Sequence, residues 1–156
     1  MAKINGLKIV PYTKDRIDDV IRFENDLRKE EDVWGWSIDD EYKRRVKASF
    51  DNSAFDNSMS FLAYADEKIV GRIDVAIICS RFDGGMTAYL DWICVLKSYR
   101  HNGVAQALLE EIRSNLKAKG ISTLVALTAA NEEAQRFYCN IPDSSMHDVG
   151  IWIDIK

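Results

Sequence analysis

The stretch Asp91-Trp92-Ile93-Cys94-Val95-Leu96-Lys97-Ser98-Tyr99-Arg100-His101-Asn102-Gly103-Val104-Ala105 decides how this chain reads. It begins as an apolar strand, turns through a short polar segment with one glycine, and enters the first turn of a helix. A loop of this kind aims several backbone N–H groups at one point, where the helix dipole adds positive potential. That point suits a pyrophosphate. Gly103 lets backbone approach a ligand closely, because it carries no Cβ. The stretch has neither the G-x-G-x-x-G of a dinucleotide fold nor the G-K-[ST] of a phosphate-binding loop. Taken alone, it also fits a polar helix entry with a structural glycine.

Downstream, residues 103–119 form the clearest helical pattern. Ala105, Leu108, Leu109, Ile112 and Leu116 share one face. Lys117 and Lys119 sit in the last turn, where positive charge is favourable, and Gly120 terminates it. An apolar strand is expected at 122–128, a helix at 131–140 with Asn131 as N-cap, and a closing strand at 149–155. Upstream, residues 7–12 read as a strand. Residues 15–31 read as a helix with Ile17, Val20, Ile21, Phe23, Glu24 and Leu27 on one stripe, capped by Thr13 or by Lys14-Asp15. A second helix spans 37–50. Strands at 60–65 and 69–80 make a hairpin, and a third strand covers 87–96. The 87–96 strand, the helix and the 122–128 strand form a right-handed crossover. The fold class is α/β (α+β): a mixed, mostly antiparallel central sheet flanked by helices. No linker or repeat is visible, so residues 1–156 read as one domain.

Composition narrows the function. Of 156 residues, 47% are hydrophobic and 29% charged, the balance of a globular domain. A net charge of −4 argues against nucleic acid and tilts toward a cationic or neutral partner. No apolar run approaches a membrane span, and residues 1–6 have no signal-peptide core. Cys79, Cys94 and Cys139 are widely spaced, odd in number and in apolar contexts, with no C-x-x-C pair. Neither a disulfide framework nor a metal site is expected, and the cytoplasm is the expected compartment.

Two acids stand out. Asp91 lies inside Tyr89-Leu90-Asp91-Trp92-Ile93, and a carboxylate in an apolar strand is paired, hydrogen-bonded or used. It could take a proton from an amine, or be a buried, bonded or edge-exposed aspartate. Asp74, in Arg72-Ile73-Asp74-Val75, is the rival. Such a residue more often faces solvent or pairs with a neighbour such as Arg72. Tyr138 follows Phe137 on a helix, where aromatics usually pack into a core. His101 reads as a loop residue lending its backbone; His147 could be a base, but a lone histidine near a strand is usually structural. Trp34 and Trp36 flank Gly35 beside Glu30, Glu31 and Asp32, which either anchors a loop or attracts a cation.

The order of elements, the Arg100-x-x-Gly103-x-Ala105 loop and the Asn131-x-x-Ala134-x-x-Phe137-Tyr138 helix together resemble the GNAT superfamily of acyl-CoA-dependent N-acetyltransferases. The resemblance spans nearly the whole chain by element order and is specific in residues from 91 to 138. It implies a V-shaped splay between the two central strands carrying Val95 and Val125, with acetyl-CoA as cofactor. It implies that Ile93, Cys94 and Val95 pair with the pantetheine through their backbone. Arg100, His101, Asn102, Gly103, Val104 and Ala105 would hold the pyrophosphate, and Asn131 would contact the cofactor. Tyr138 would protonate the leaving thiolate, and Asp91 stands where the family often has its base. Trp34, Trp36 and Asp91 would shape the acceptor pocket.

The expected activity is acetyl transfer to a primary amine of a small molecule, aminoglycoside-like or a polyamine. A protein or peptide N-terminus is an alternative acceptor. A non-catalytic acyl-CoA sensor would keep the loop while Asp91 and Tyr138 served packing. One departure stands out. The family's Gly-Phe after the last helix is replaced by Cys139-Asn140-Ile141-Pro142. The acceptor wall on that side is therefore altered, and a homodimer partner could complete it.

Overall fold

A computed structural model describes residues 4, 6–31, 37–128, 131–147, 150–151 and 153–155. Its elements are β1 (Lys8–Pro11), α1 (Ile17–Glu30), α2 (Asp40–Ser49), β2 (Ser58–Ala65), β3 (Lys68–Cys79), β4 (Met86–Val95), α3 (Val104–Ala118), β5 (Leu124–Ala126) and α4 (Glu132–Cys139). The five strands lie in sequence order in one sheet. The first four pair antiparallel, and β5 joins β4 in parallel after the α3 crossover. This is the expected mixed, mostly antiparallel class.

Alternation along β3 divides the two faces of the sheet. Gly71 faces α3. A Cβ there would lie 2.9 Å from Val104 Cγ1, 3.1 Å from Leu108 Cδ1 and 3.2 Å from the Cys94 carbonyl oxygen. The missing side chain lets the start of α3 sit close on the sheet. Val104, Leu108, Leu109, Ile112 and Leu116 are the buried side of α3, each contributing about 1.5–3 kcal/mol of apolar burial before entropy is offset. The helix stops as its sequence predicts. Gly120 turns left-handed (φ 74), and the Ile121 amide donates back to the Leu116 carbonyl at 3.0 Å.

Arg72, the next residue, faces α1. The α1 stripe forms as expected, with Ile17, Val20, Phe23, Glu24 and Leu27 buried. The helix starts later than expected, because residues 14–16 make a separate 3-10 turn and Thr13 gives no side-chain cap. Helix α2 is shorter than its pattern and is capped by Asp39, whose Oδ1 accepts from the Tyr42 amide at 2.8 Å.

The closing strand at 149–155 does not form among the described residues. Residues 150, 151 and 153–155 have no strand conformation, and Ile151, Ile153 and Ile155 are largely exposed. Val149 and Trp152, also part of that expectation, lie outside the described residues. The physical reason is local. β5 offers only three residues, and a Cβ at Gly150 would meet the Leu127 side chain at 2.8 Å. The chain meets side chain there, not a hydrogen-bonding edge. Cys79 and Cys139 are also exposed despite their apolar sequence contexts, and all three cysteines are free.

Candidate active site

The site begins where β4 and β5 part. Parallel pairing covers Ala88 with Leu124, Tyr89 with Val125 and Leu90 with Ala126, then ends. β4 itself continues to Val95 against β3. Residues 91–95 therefore have a strand neighbour on one side only among the described residues, and a gap opens toward β5. This is the expected V. At its apex the β3–β4 register slips. Asp74 opposes Trp92 and Val75 opposes Leu90, which leaves Asp91 as the extra residue of a bulge. Asp91 is exposed. Of the readings open to it, the edge-exposed one describes its surroundings.

Beside the open half of β4 lies a partly buried polar cluster. Trp92 and Cys94 share one face, the indole N–H donating to Cys94 Sγ at 2.8 Å. Opposite them, Arg72 Nε faces Asp74 Oδ2 at 2.6 Å, and Arg72 Nη2 donates to Asp74 Oδ1 at 3.0 Å. Ser60 Oγ donates to the same Oδ1 at 2.6 Å. Arg72 Nη1 also donates to Glu24 Oε1 at 2.9 Å, and the Tyr42 hydroxyl donates to that oxygen at 2.9 Å. Arg28 holds the other Glu24 oxygen at 3.2 Å. The Tyr12 ring lies 5.0 Å from the Arg72 guanidinium. Burial by itself would lower the Arg72 pKa. Asp74 and Glu24 more than offset that and raise it above its ordinary value. Asp74 is thus committed to Arg72 and Ser60. Burial pushes the Cys94 thiol up to about 12, so it stays neutral and inward. What Cys94 and its neighbours Ile93 and Val95 offer toward the gap is backbone.

After β4 the chain makes a 3-10 turn at Lys97–Tyr99 and enters the loop. His101 (φ 61) and Gly103 (φ 83) both take the left-handed conformation. Asn102 folds back, its Nδ2 donating to the Arg100 carbonyl at 2.8 Å. The first bond of α3 runs from the Ala107 amide to the Gly103 carbonyl at 3.0 Å. The amides of Val104, Ala105 and Gln106 precede it and are the unspent donors of the helix. No side chain caps this N-terminus. Such a cradle fits a diphosphate, so the residues present suit the cofactor.

The Arg100 side chain does not point alone into this cradle. Its Nε donates to the Val95 carbonyl at 3.3 Å, Nη1 to Glu133 Oε2 at 3.2 Å, and Nη2 to Glu31 Oε1. Glu30 takes two bonds from Ser98, from its amide at 3.0 Å and its hydroxyl at 2.7 Å. The Ser98 amide bond is the main reason the Glu30 pKa lies below its ordinary value. Glu133 is not among the expected site residues, and Glu31 is expected only as one of three acids that could attract a cation. The paired acids at the end of α1 and the acid-rich first turn of α4 were the available signal.

Across the gap, Asn131 caps α4, its Oδ1 accepting from the Ala134 amide at 2.8 Å. That leaves Nδ2 for other use. Tyr138 packs edge-on against Phe137, ring centroids 5.3 Å apart. Burial, and to a lesser extent the nearby Tyr89, raises its hydroxyl pKa. Tyr89 pairs with β5 just before the strands part, so Tyr138 belongs to the apex of the V. Trp34 and Trp36 lie outside the described residues. Among the described residues no three His, Cys, Asp or Glu side chains gather as metal ligands would, and no helix is long and apolar enough to cross a membrane.

An uncapped helix N-terminus beside the gap between the last two strands is the arrangement this fold presents. The profile of the Acetyltransferase (GNAT) family matches residues 21–140, and the chain belongs to that family. As a member of that family it is an N-acetyltransferase that uses acetyl-CoA. Its fold is similar to that of an aminoglycoside acetyltransferase from an uncultured soil metagenomic sample, solved with sisomicin. The two share 18% identity and a TM-score of 0.80, with 97% of this chain and 98% of that chain covered. AAC(6')-Iy, solved with the bisubstrate analogue CoA-S-monomethyl-acetylneamine, gives 17% identity, a TM-score of 0.74 and 97% and 100% coverage. A ribosomal-protein-alanine N-acetyltransferase from Brucella melitensis biovar Abortus 2308 gives 14% identity, a TM-score of 0.74 and 97% and 99% coverage. No curated protein sequence matches the chain significantly.

Proposed function

We propose that this chain acetylates a primary amine of a small polycationic acceptor, aminoglycoside-like or a polyamine. The observation that carries this reading is the coincidence at Leu90. There the β4–β5 pairing ends, the bulge exposes Asp91, and Tyr138 stands near Tyr89. The cradle at 100–105 and Asn131 hold the cofactor, and the open backbone of Ile93, Cys94 and Val95 receives its arm as an added strand. Acetyl-CoA supplies the activated acetyl thioester. Asp91 accepts the proton that the attacking amine loses as its nitrogen bonds the acetyl carbon. A β4 amide near Val95 stabilises the oxyanion. Tyr138, a protonated phenol whose pKa burial raises further, would give its proton to the departing thiolate sulfur.

The net charge of −4 and the similarity to aminoglycoside acetyltransferases favour a cationic acceptor. The similar ribosomal-protein-alanine acetyltransferase favours a protein N-terminus as the second reading. The free thiols fit work in the cytoplasm. A homodimer would cover the exposed Val125 and Leu127 of the β5 region and the exposed isoleucines of residues 151–155.

The test is a screen of aminoglycosides, polyamines and N-terminal peptides with a free-thiol readout, run on the native chain and on Tyr138→Phe. The substitution is expected to lower kcat about a hundredfold with CoA affinity nearly unchanged. Unchanged turnover removes Tyr138 from the mechanism. Thioester cleavage independent of every amine would favour the sensor reading.

A further inference from the structure

We propose that Glu31 and Glu133 set the cofactor affinity of this protein, by competing with the diphosphate for the Arg100 guanidinium. The inference rests on the acetyl-CoA reading of the loop and adds a control to it.

Three separate elements meet on one side chain. Glu31 comes from the end of α1 and Glu133 from the first turn of α4, while Arg100 opens the cradle itself. The Arg100 side chain is only 26% exposed, so these are partly desolvated pairs. Two carboxylates on one guanidinium leave that cluster with a net charge of −1. His101 adds nothing unless protonated, its Nε2 lying 3.7 Å from Glu133 Oε1. A diphosphate entering the cradle therefore finds this guanidinium already engaged by both acids. The guanidinium fork is built for one bidentate anion, and phosphate is a better match for it than two divergent carboxylates.

The exchange has somewhere to go. Glu30 keeps the end of α1 on Ser98 through both of its oxygens, so Glu31 can turn away without releasing the helix. Glu133 lies in the exposed first turn of α4, where the helix dipole stabilises its carboxylate without Arg100. Glu133 also links the two walls of the gap in the ligand-free chain, because Arg100 follows β4 and Glu133 follows β5, whereas Glu31 ties Arg100 to α1.

A purely structural strap and a competing pair differ in sign. Removing a strap weakens both fold and binding. Removing a competitor weakens the ligand-free fold slightly and strengthens binding. The experiment is calorimetric titration of CoA and of 3'-dephospho-CoA into the native chain, Glu31→Gln, Glu133→Gln and the double variant, with ligand-free thermal melts alongside. Each single substitution is expected to tighten binding about three- to tenfold, equally for both ligands, while the ligand-free melt falls. Equal gains place the effect at the diphosphate, since the two ligands differ only in the 3'-phosphate. In an Arg100→Gln background the gain should largely vanish. Unchanged or weakened affinity in both variants overturns the proposal. So does a gain that persists undiminished without Arg100, which would mean simple repulsion. A native chain that binds no CoA overturns the cradle reading itself, and that result is distinct from normal binding with unresponsive variants.

Discussion

Asp74 and Asp91 sit on neighbouring strands, each an acid in an apolar run, and they live in opposite circumstances. Asp74 lies where β3 has a strand on both sides and α1 above it. Its carboxylate is 15% exposed and is met by Arg72 and Ser60. Asp91 lies one register step away, at the bulge where β4 loses its β5 neighbour, and it is exposed. A charge enclosed by the fold must be neutralised by the fold. A charge at the mouth of a gap is left for whatever enters. The contrast separates an aspartate that the sheet holds in place from one that it leaves open to solvent.

The largest expected effect tests the enclosed half. Arg72→Met removes the cation paired with Asp74 and one of the two on Glu24, which keeps Arg28, and unfolding in urea should show a loss of about 3–5 kcal/mol. Asp91→Asn tests the other half. It should leave stability within about 0.5 kcal/mol of the native chain. The same substitution should reduce kcat about a hundredfold or more in the acetyl-transfer assay. A destabilised Asp91 variant, or a tolerant Arg72 variant, would erase the distinction between the two regions.

Much of this was legible in the sequence, and the parts that were not have physical reasons. Helix α3, its glycine terminator and the Asn131 cap follow from period and capping chemistry, which are local. The bulge at Asp91 is not written there, because Trp92, Ile93, Cys94 and Val95 are all apolar and all pack on the core, so no alternation marks the skipped residue. Glu24 was visible on the apolar stripe of α1, but its partners Arg72 and Tyr42 are far away in sequence. Only the packing of α1 and α2 on the sheet brings them together. The same holds for Glu31 and Glu133 on Arg100. The closing strand was misjudged because alternation in Ile151, Ile153 and Ile155 predicts a strand, and the pattern carries no information about whether an edge is there to receive it.

A smaller effect sharpens the comparison at the join between sheet and cradle. Gly71→Ala places a methyl 2.9 Å from Val104 Cγ1, against a β-branched side chain with little freedom to yield. The start of α3 must lift, at a cost of about 1–3 kcal/mol in a urea titration. CoA affinity should fall with it, because Val104 begins the helix whose amides form the cradle. Lost stability with unaltered affinity would mean that the cradle's geometry does not depend on the seating of α3.

The mildest probe is alkaline pH, and it reads the enclosed half through Cys94, which pairs with Arg72 in register. Burial raises the folded thiol from an ordinary 9.0 to about 12. A neutral thiol enclosed in the fold favours folding only while the unfolded thiol is neutral too. Its contribution is therefore complete below pH 9 and declines as pH rises toward 12. The decline approaches about 1.4 kcal/mol per pH unit. Tyrosines and lysines titrate in the same range, so the useful quantity is a difference. Between pH 9 and 10.5, roughly where only the unfolded thiol ionises, native stability should fall more steeply than that of Cys94→Ala. A thiol reagent at pH 8 should label the exposed Cys79 and Cys139 quickly and Cys94 only on unfolding. Parallel slopes, or three equally fast thiols, would mean that the floor of the open half of β4 admits water. The barrier between the enclosed and the open aspartate would then be absent.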